Sequence, residues 1–482
     1  MVMTRFPTAD ERWPRSGEVI PEEPLYDAVI TSLPGMDKSK PAPGPSFLKG
    51  YLEPLGFKIK VVDGHMYDTL DNIEKEISKY NFKWLGISVF SFMQKEDGLN
   101  LGKRFENVFY GGSGVDIKWP TPYYIVGEGE YALREFLKGN FDYPGINGKL
   151  PVQIENIEDL PPPDYSDVIQ HQKYRKFVIS GSRGCVRNCT FCDVASIWPK
   201  FRWKTGKKIA DEMHQVSEQT GTKKIHFSDS LINGSMKHFR DLCRELSSRP
   251  KKIKWEAQFI VRDQKTFSQE DFDNLANSGC NGLEMGIEAG NEEVRDHMRK
   301  KFSNNDIRYF VENLGKRNIT MKFLLIVGYP TETEKMFEDT LQLLRDYKKY
   351  SHLISVSHHV MMTFKNTPLD FEHRELFDNE FGFKWKNENS DFDIRFERFI
   401  KVYELGVKLG YQFQEHCLEK IERYKSDKLN EDRKSIGFIH PKKKNQFLKL
   451  VKDITSKGFV RSDYKRKLVD LSDIRINLKG KK

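Results

Sequence analysis

The stretch GSRGCVRNCTFCDV, residues 181–194, places Cys185, Cys189 and Cys192 within eight positions. The spacing is C-x3-C-x2-C, and Cys243, Cys280 and Cys417 stand apart from it and from one another. Three thiolates are one short of a closed structural zinc site, which often draws on two C-x2-C pairs. Thiolate is also the soft ligand of iron–sulfur clusters. Three thiolates on a four-iron cluster leave one iron open to a substrate or cofactor. Zinc with a distant fourth ligand is the competing reading.

The flanking pattern decides between them. RKFVISGSRG (175–184) is a short apolar run leading into the cysteines, so the loop follows a strand. Further strands are expected at KKIHFSDS (223–230), IKWEAQFIV (253–261), GLEMGIEAG (282–290), TMKFLLIVG (320–328) and LISVSHHVMM (353–362). Helical patterns such as KKIADEMHQVSEQTG (207–221) and EKMFEDTLQLLRDYKKY (334–350) lie between them. Six β–α units are too few for a closed eight-fold barrel and predict an open, partial one. The cysteines then sit at the C-terminal end of its first strand, where parallel α/β folds place their sites.

Upstream the texture is similar. YDAVITSL (26–33), FKIKVVDG (57–64), FKWLGISVFSF (82–92), NVFYGGSG (107–114) and PYYIVGEGE (122–130) read as strands. SFLKGYLEPLG (46–56), TLDNIEKEISKYN (69–81) and YALREFLKG (131–139) read as helices. Such alternation predicts an open parallel sheet with right-handed crossovers. The proline-rich IENIEDLPPPDYSD (154–167) marks a boundary. From about Phe381 the alternation stops, and FDIRFERFIKVYELGVKLGYQF (392–413) and KKNQFLKLVKDITSKG (443–458) read as helices. The expected organisation is an extension over 1–24, a first α/β domain over 25–150, a linker over 151–174, a partial barrel over 175–370 and a helical basic region over 371–482.

Composition bounds the function. Of the 482 residues 38% are hydrophobic, with 34 Phe and 19 Tyr, which excludes a disordered chain. No run of about 18 apolar residues suggests a membrane span, no apolar leader follows the N-terminus, and six cysteines make no disulfide framework. A reducing cytoplasm is the expected location. Residues 415–482 carry 20 Lys and Arg against 10 Asp and Glu, so the net +9 resides there and the rest is near neutral. Runs such as HPKKKNQ and DYKRKL suit a solvated helical tail or contact with a polyanion such as nucleic acid.

The cysteine spacing, with Phe191 just before the third cysteine and a β/α series around it, resembles the radical S-adenosylmethionine superfamily. That resemblance implies a 4Fe–4S cluster on Cys185, Cys189 and Cys192. The amino and carboxylate groups of S-adenosylmethionine would chelate the open iron, and one electron would cleave the sulfonium. The 5′-deoxyadenosyl radical would then take a hydrogen from substrate. Phe191 would wall the adenine. IHFSDS resembles the second-strand segment that puts Asp229 near the cofactor, and EMGIEAGNEEV the fourth-strand motif that puts Glu288 at its ribose or amino-acid end. Glu288 reads first as a cofactor contact and second as a structural hydrogen-bond partner, whereas for Asp229 the two readings weigh evenly. FLLIVGYPTETE resembles the G-x-P-G-E-T pattern after the fifth strand, implicating Gly328, Pro330 and Glu332, with Thr331 where glycine is usual.

Residues 25–150 resemble the cobalamin-binding, flavodoxin-like (Rossmann-like) module that precedes the barrel in one branch of the superfamily. VITSLPG, FYGGSG and IVGEGE carry that resemblance, and Gly111, Gly112, Gly127 and Glu128 are its candidate cobalamin contacts. The D-x-H-x-x-G motif that supplies a lower cobalt ligand is missing after the first strand, and His65, after the second, reads as an ordinary loop histidine. With cobalamin, the resemblance implies methylation of an unactivated carbon, one S-adenosylmethionine methylating cobalt and a second generating the radical. Without it, a rearrangement, cyclisation or oxidation is implied. A methylthiotransferase acting on RNA or protein would carry further cysteines in its first domain, and none precedes Cys185. A non-catalytic iron–sulfur interaction protein is the remaining alternative. The chemistry implies a flavodoxin- or ferredoxin-type electron donor. Strand alternation lets only one of His358 and His359 face the barrel interior.

Overall fold

The computed structural model describes residues 25–435, apart from 36, 171–173, 365–366, 377–381, 383–384 and 415. The extension over 1–24 and the lysine-rich runs beyond 435 lie outside the described residues. The chain divides into two compact units, 1–414 and 415–482.

The first sheet is formed by β1 (Tyr26–Ser32), β2 (Ile59–Val62), β3 (Phe82–Ser88) and β4 (Val108–Gly111), all parallel and ordered β2-β1-β3-β4. Helices α1 (Pro43–Leu52), α2 (Leu70–Ile77), α3 (Lys95–Gly102) and α4 (Gly129–Leu137) cover its two faces. Successive β1 residues explain why. Ala28 and Ile30 bury against Leu52, Ile59, Phe109 and Phe136, whereas Val29 buries against Val62, Ile73, Ile77 and Leu85. Both faces are apolar, as a parallel sheet requires. Proline at the first position starts α1, and Gly56, at φ +90°, ends the short 3-10 turn that follows it. The expected strand in PYYIVGEGE is reduced to isolated bridges, Tyr110 with Tyr124 and Ile125 with Ile146. Pro120 and Pro122 before it and Gly127 (φ +84°) after it leave little chain free to pair.

The second sheet follows the predicted β/α series. Its parallel strands are β5 (Phe177–Ile179), β8 (Lys224–Phe227), β9 (Lys254–Phe259), β10 (Cys280–Glu288), β11 (Thr320–Val327) and β12 (Ile354–Val360), in sequential order. A two-strand ribbon, β6 (Ser182–Arg183) with β7 (Arg202–Trp203), interrupts the series after β5, and the short α5 (Val194–Ile197) lies inside its loop. The crossovers are α6 (Gly206–Thr220), α7 (Met236–Ser248), α8 (Gln269–Asn277), α9 (Glu292–His297), α10 (Asn304–Lys316) and α11 (Glu334–Asp346). Trp255, Ala257 and Phe259 point out of β9 into the helical layer, where Phe239, Phe259, Phe267, Phe272 and Phe310 stack in one aromatic cluster. The architecture is the expected one: a flavodoxin-like sheet, then a partial six-stranded barrel.

Beyond β12 come α12 (Pro368–Glu372), α13 (Phe392–Leu409), β13 (Gln412–Phe413) and α14 (His416–Ser435). α13 bears out the helix expected over 392–413 except at its end, where β13 instead pairs with β12 and lengthens the sheet to seven strands, and the helix expected over 443–458 lies outside the described residues. α14 is the described part of the second unit.

The C-terminal ends of the two sheets meet. The Phe92 ring, on the loop after β3, lies edge-on to Phe364, after β12, with centroids 6.1 Å apart.

Candidate cluster and cofactor site

The cysteine loop is held from both sides. At its base, β5 ends and the Asp229 carboxylate accepts from the Gly181 N–H (2.8 Å) and the Ser182 hydroxyl (2.6 Å). In its middle, Thr190 is tied on every polar atom. Its N–H donates to the Met298 carbonyl (3.3 Å), its carbonyl accepts from Leu369 N–H (2.8 Å), and its hydroxyl lies 2.8 Å from the Tyr329 hydroxyl. Cys189 is buried; Cys185 and Cys192 are half-buried. Phe191 packs toward Ala289, Tyr329 and Met361.

Charges of both signs lie around the thiols. Lys300 pairs with Glu288 at 2.6 Å and its ammonium lies 5.7 Å from the centre of the Phe191 ring. Burial works to discharge Lys300, but Glu288 and the thiols of Cys189 and Cys192 outweigh it and hold its pKa above the lysine range. Burial pushes the Cys192 thiol up to about 12. Burial raises Cys189 also, against the pull of Lys300. Arg262, half-buried and repelled by Arg187, is held below the usual arginine range. The Nε atoms of both arginines are buried without a partner among the described residues. Arg187 lies between two of the cysteines, and Cys185 is among the groups that favour the Arg262 charge. An all-thiol donor set with Lys300 beside it and two nearby arginines whose Nε atoms are unpartnered among the described residues fits an anionic, thiolate-bound iron–sulfur cluster.

Glu288 ends β10 at φ +64° after a register shift, a left-handed conformation that a non-glycine residue adopts at a cost of about 1–3 kcal/mol. The strain turns its carboxylate to Lys300. Asp229 is fully enclosed, and burial lifts its carboxyl to about 7 despite its two donors. It anchors the base of the loop. Glu332 is equally enclosed: it accepts from the Gly328 N–H (2.6 Å) and from Arg398 (3.1 Å), and burial raises it to about 7. Gly328 (φ +80°) is pressed by the Arg395 side chain, 2.1 Å from where a Cβ would stand. Pro330 is buried, and its carbonyl accepts from Asn387. α13 thus seals this turn, with Arg395 stacked 3.8 Å from the Trp385 ring centre.

In the first domain, a Cβ on Gly111 would make only ordinary van der Waals contact, 3.8 Å from the Ile125 carbonyl. A Cβ on Gly112 would meet the Val89 carbonyl at 2.5 Å, and one on Gly127 the Pro151 side chain at 2.6 Å. Glu128 binds protein groups, Arg183 (2.9 Å) and Arg202 (2.9 Å). Burial pushes its carboxyl up, but those arginines outweigh it and hold it below the carboxylate range. His65 packs its ring on Gly35 and donates from Nδ1 to the Lys40 carbonyl (3.2 Å), in line with an ordinary loop role. Three apolar side chains are exposed at this edge, Phe90 (75%), Met93 (64%) and Phe92 (37%), on the loop after β3.

His358 points away from the barrel interior, stacked 3.8 Å from Phe399 and donating to its carbonyl. His359 therefore faces inward, exposed, beside Ser357 (3.3 Å). Lys300, Arg262 and Thr190 went unremarked in the sequence. Lys300 lies outside the quoted fourth-strand motif, Arg262 follows a different strand, and Thr190 was hidden between the cysteines it fixes.

Residues 179–344 match the profile of the radical SAM superfamily. They are a radical SAM domain. Known members use a 4Fe–4S cluster and S-adenosylmethionine, the pair that the cysteine loop implied. Among curated proteins, the chain is 24% identical over 335 residues to an uncharacterised methyltransferase of Pyrococcus horikoshii, covering 61% of this chain and 72% of that protein. It is 27% identical over 201 residues to bacteriochlorophyllide d C-12(1)-methyltransferase of Chlorobaculum tepidum, covering 40% of this chain and 43% of that one. Among solved structures, the radical S-adenosylmethionine methyltransferase TsrM of Kitasatospora setae, with cobalamin and a 4Fe–4S cluster bound, superposes with TM-score 0.60 at 18% identity. The alignment covers 73% of this chain and 75% of TsrM. The cobalamin-dependent S-adenosylmethionine radical enzyme OxsB gives 0.57 at 16%, over 79% and 61%. Coverage beyond residues 179–344 shows that the fold likeness extends outside the radical SAM domain. No helix among the described residues is long and apolar enough to cross a membrane.

Proposed function

We propose that this radical SAM enzyme is a cobalamin-dependent methyltransferase acting at an unactivated carbon. The observation that carries the reading is the meeting of the two sheet edges. The apolar loop of Phe90, Phe92 and Met93 lies at the C-terminal edge of the first sheet, and Phe92 touches Phe364 at the barrel mouth. An exposed apolar rim suits the face of a flat macrocycle, whereas Gly112, Gly127 and Glu128 are engaged with protein.

Cys185, Cys189 and Cys192 would hold the cluster, which supplies the electron that cleaves S-adenosylmethionine to methionine and a 5′-deoxyadenosyl radical. A flavodoxin- or ferredoxin-type donor would deliver that electron. Lys300, Arg187 and Arg262 offset the negative charge gathered there. Glu288, turned by its strained backbone, holds Lys300. Phe191 and the sealed Gly328–Glu332 turn keep water from the reacting centre. His359, on the inner wall, is placed to exchange a proton with substrate.

The test is anaerobic reconstitution with iron and sulfide, then dithionite and S-adenosylmethionine. The expected result is 5′-deoxyadenosine well above that of Cys189→Ala; equal yields overturn the radical reading. Hydroxocobalamin added before gel filtration should co-elute with corrinoid absorbance, and Phe90→Asp with Met93→Asp should abolish it. Absence of co-elution from the wild type overturns the cobalamin reading alone.

A further inference from the structure

The ribbon that closes the cysteine loop has an unfavourable pairing built into it. β6 and β7 are two residues each, and their register places Arg183 opposite Arg202. Like charges directly opposite across an antiparallel pair repel, and so short a ribbon has little else to hold it. Three residues after β6 begins, the chain has passed Gly184, whose left-handed turn (φ +84°) packs onto the Lys200 carbonyl, and entered the cysteines. Opening the ribbon would therefore release both ends of the loop.

The compensation comes from the other domain. Glu128 and Glu130, at the start of α4, reach across to both arginines. Glu128 accepts from Arg183 and from Arg202, each at 2.9 Å, and from the Ile154 N–H at 2.5 Å. Glu130 takes the rest of the Arg183 guanidinium through both its oxygens. Arg202 also donates to the Ile154 carbonyl. The four side chains are between 3% and 15% exposed, so solvent screens them little.

We infer that Glu128 and Glu130 of the first domain are positioning residues for the cysteine loop, clamping the Arg183–Arg202 ribbon so that the three thiols are held for cluster assembly. The clamp rests on the reading of those thiols as the cluster ligands. It gives the first domain a task at the iron site that does not depend on any ligand of its own.

Thiol reactivity tests it without a cluster. Iron-free protein is treated anaerobically with iodoacetamide, and each cysteine is followed by mass spectrometry. The full-length Glu128→Gln/Glu130→Gln variant should raise alkylation of buried Cys189 about tenfold or more, while Cys243 and Cys280, buried in the same barrel, stay protected. Arg183→Met removes the repulsion together with the clamp, so it should raise Cys189 alkylation less than the double glutamine variant does, and adding Glu130→Gln to it should change little, because Glu130 has then already lost its partner. Lys60→Met, which breaks the ion pair to linker residue Asp167, should leave Cys189 unchanged. Iron per chain after reconstitution should fall in the clamp variants only. Cys189 rates within about twofold of wild type, or a parallel rise at Cys243 and Cys280, would overturn the clamp. Should the double variant fail to fold, the near-isosteric Glu130→Gln alone still decides by the same ratio. A wild type that binds no iron and sulfide refutes the cluster reading, and the alkylation contrast still judges the clamp.

Discussion

At Lys300 and Glu288 a buried ion pair stands beside soft metal ligands, and the two charges should pull the cluster in opposite directions. Local charge is one of the levers on iron–sulfur potential. Lys300→Met should therefore make the midpoint potential more negative, and Glu288→Gln more positive, in a redox titration followed by electron paramagnetic resonance without S-adenosylmethionine. Shifts of the same sign would refute the assignment. Asp229 predicts a pH effect. Its folded carboxyl, at about 7, lies above about 3.9 for an unfolded chain. The folded state holds that proton more tightly, so its contribution is complete below about pH 4 and lost as pH rises through 7. Three pK units set an upper bound of roughly 4 kcal/mol. Relative to wild type, Asp229→Asn should gain unfolding free energy between about pH 5 and 8 in urea titrations; parallel curves would contradict this. The sequence pointed to Glu288 and Asp229 through their motifs, but not to what they touch. Asp229 serves the loop through Gly181 and Ser182, forty-eight and forty-seven residues away, a pairing that only the closed sheet creates.

Among the elements, the helical layer behind β9 offers the firmest energetic test. Phe267 is fully buried, with ring centroids 4.7 Å from Phe272 and 5.0 Å from Phe310. Phe267→Ala should cost about 3–5 kcal/mol in urea unfolding, and a loss below about 1 kcal/mol would mean that the cluster repacks around the gap. Lys204 and Glu212 give a different case. Both are buried and joined by two bonds of 2.8 and 2.9 Å. Glu212→Gln strands an ammonium and should destabilise by about 3–5 kcal/mol, whereas Lys204→Met with Glu212→Leu should cost much less. Apolar runs broken by glycine made the six barrel strands legible, since fully buried parallel strands have that texture. β13 was not, because two residues after a helix carry no period. The PYYIVGEGE segment misled in the opposite sense: its β-branched and aromatic content is that of a strand, but prolines and glycines around it prevent pairing.

Across the molecule, the succession of two parallel α/β units was readable, because strand and helix textures alternate along both. The joint between them was not. In the sequence IVGEGE looked like a ligand loop, and nothing local says that Glu128 answers to Arg183 and Arg202, fifty-five and seventy-four residues later. The same limit applies to α13, whose Arg398 crosses to Glu332. That crossing makes a global prediction: Arg398→Met should unseat the Gly328–Glu332 turn and weaken S-adenosylmethionine binding by about tenfold or more. Equilibrium dialysis with labelled S-adenosylmethionine would measure it, and unchanged affinity would show that the turn does not face that cofactor.

The opposed arginines also impose an order in time. A ribosome releases residues 128 and 130 before 183 and 202, so the acidic pair can fold into α4 before the basic ribbon needs it. A circular permutant that began at the barrel would reverse this sequence. Its cysteine loop would emerge into a cell with its closing charges still unanswered, exposed to oxidants and stray metals until the first domain arrived.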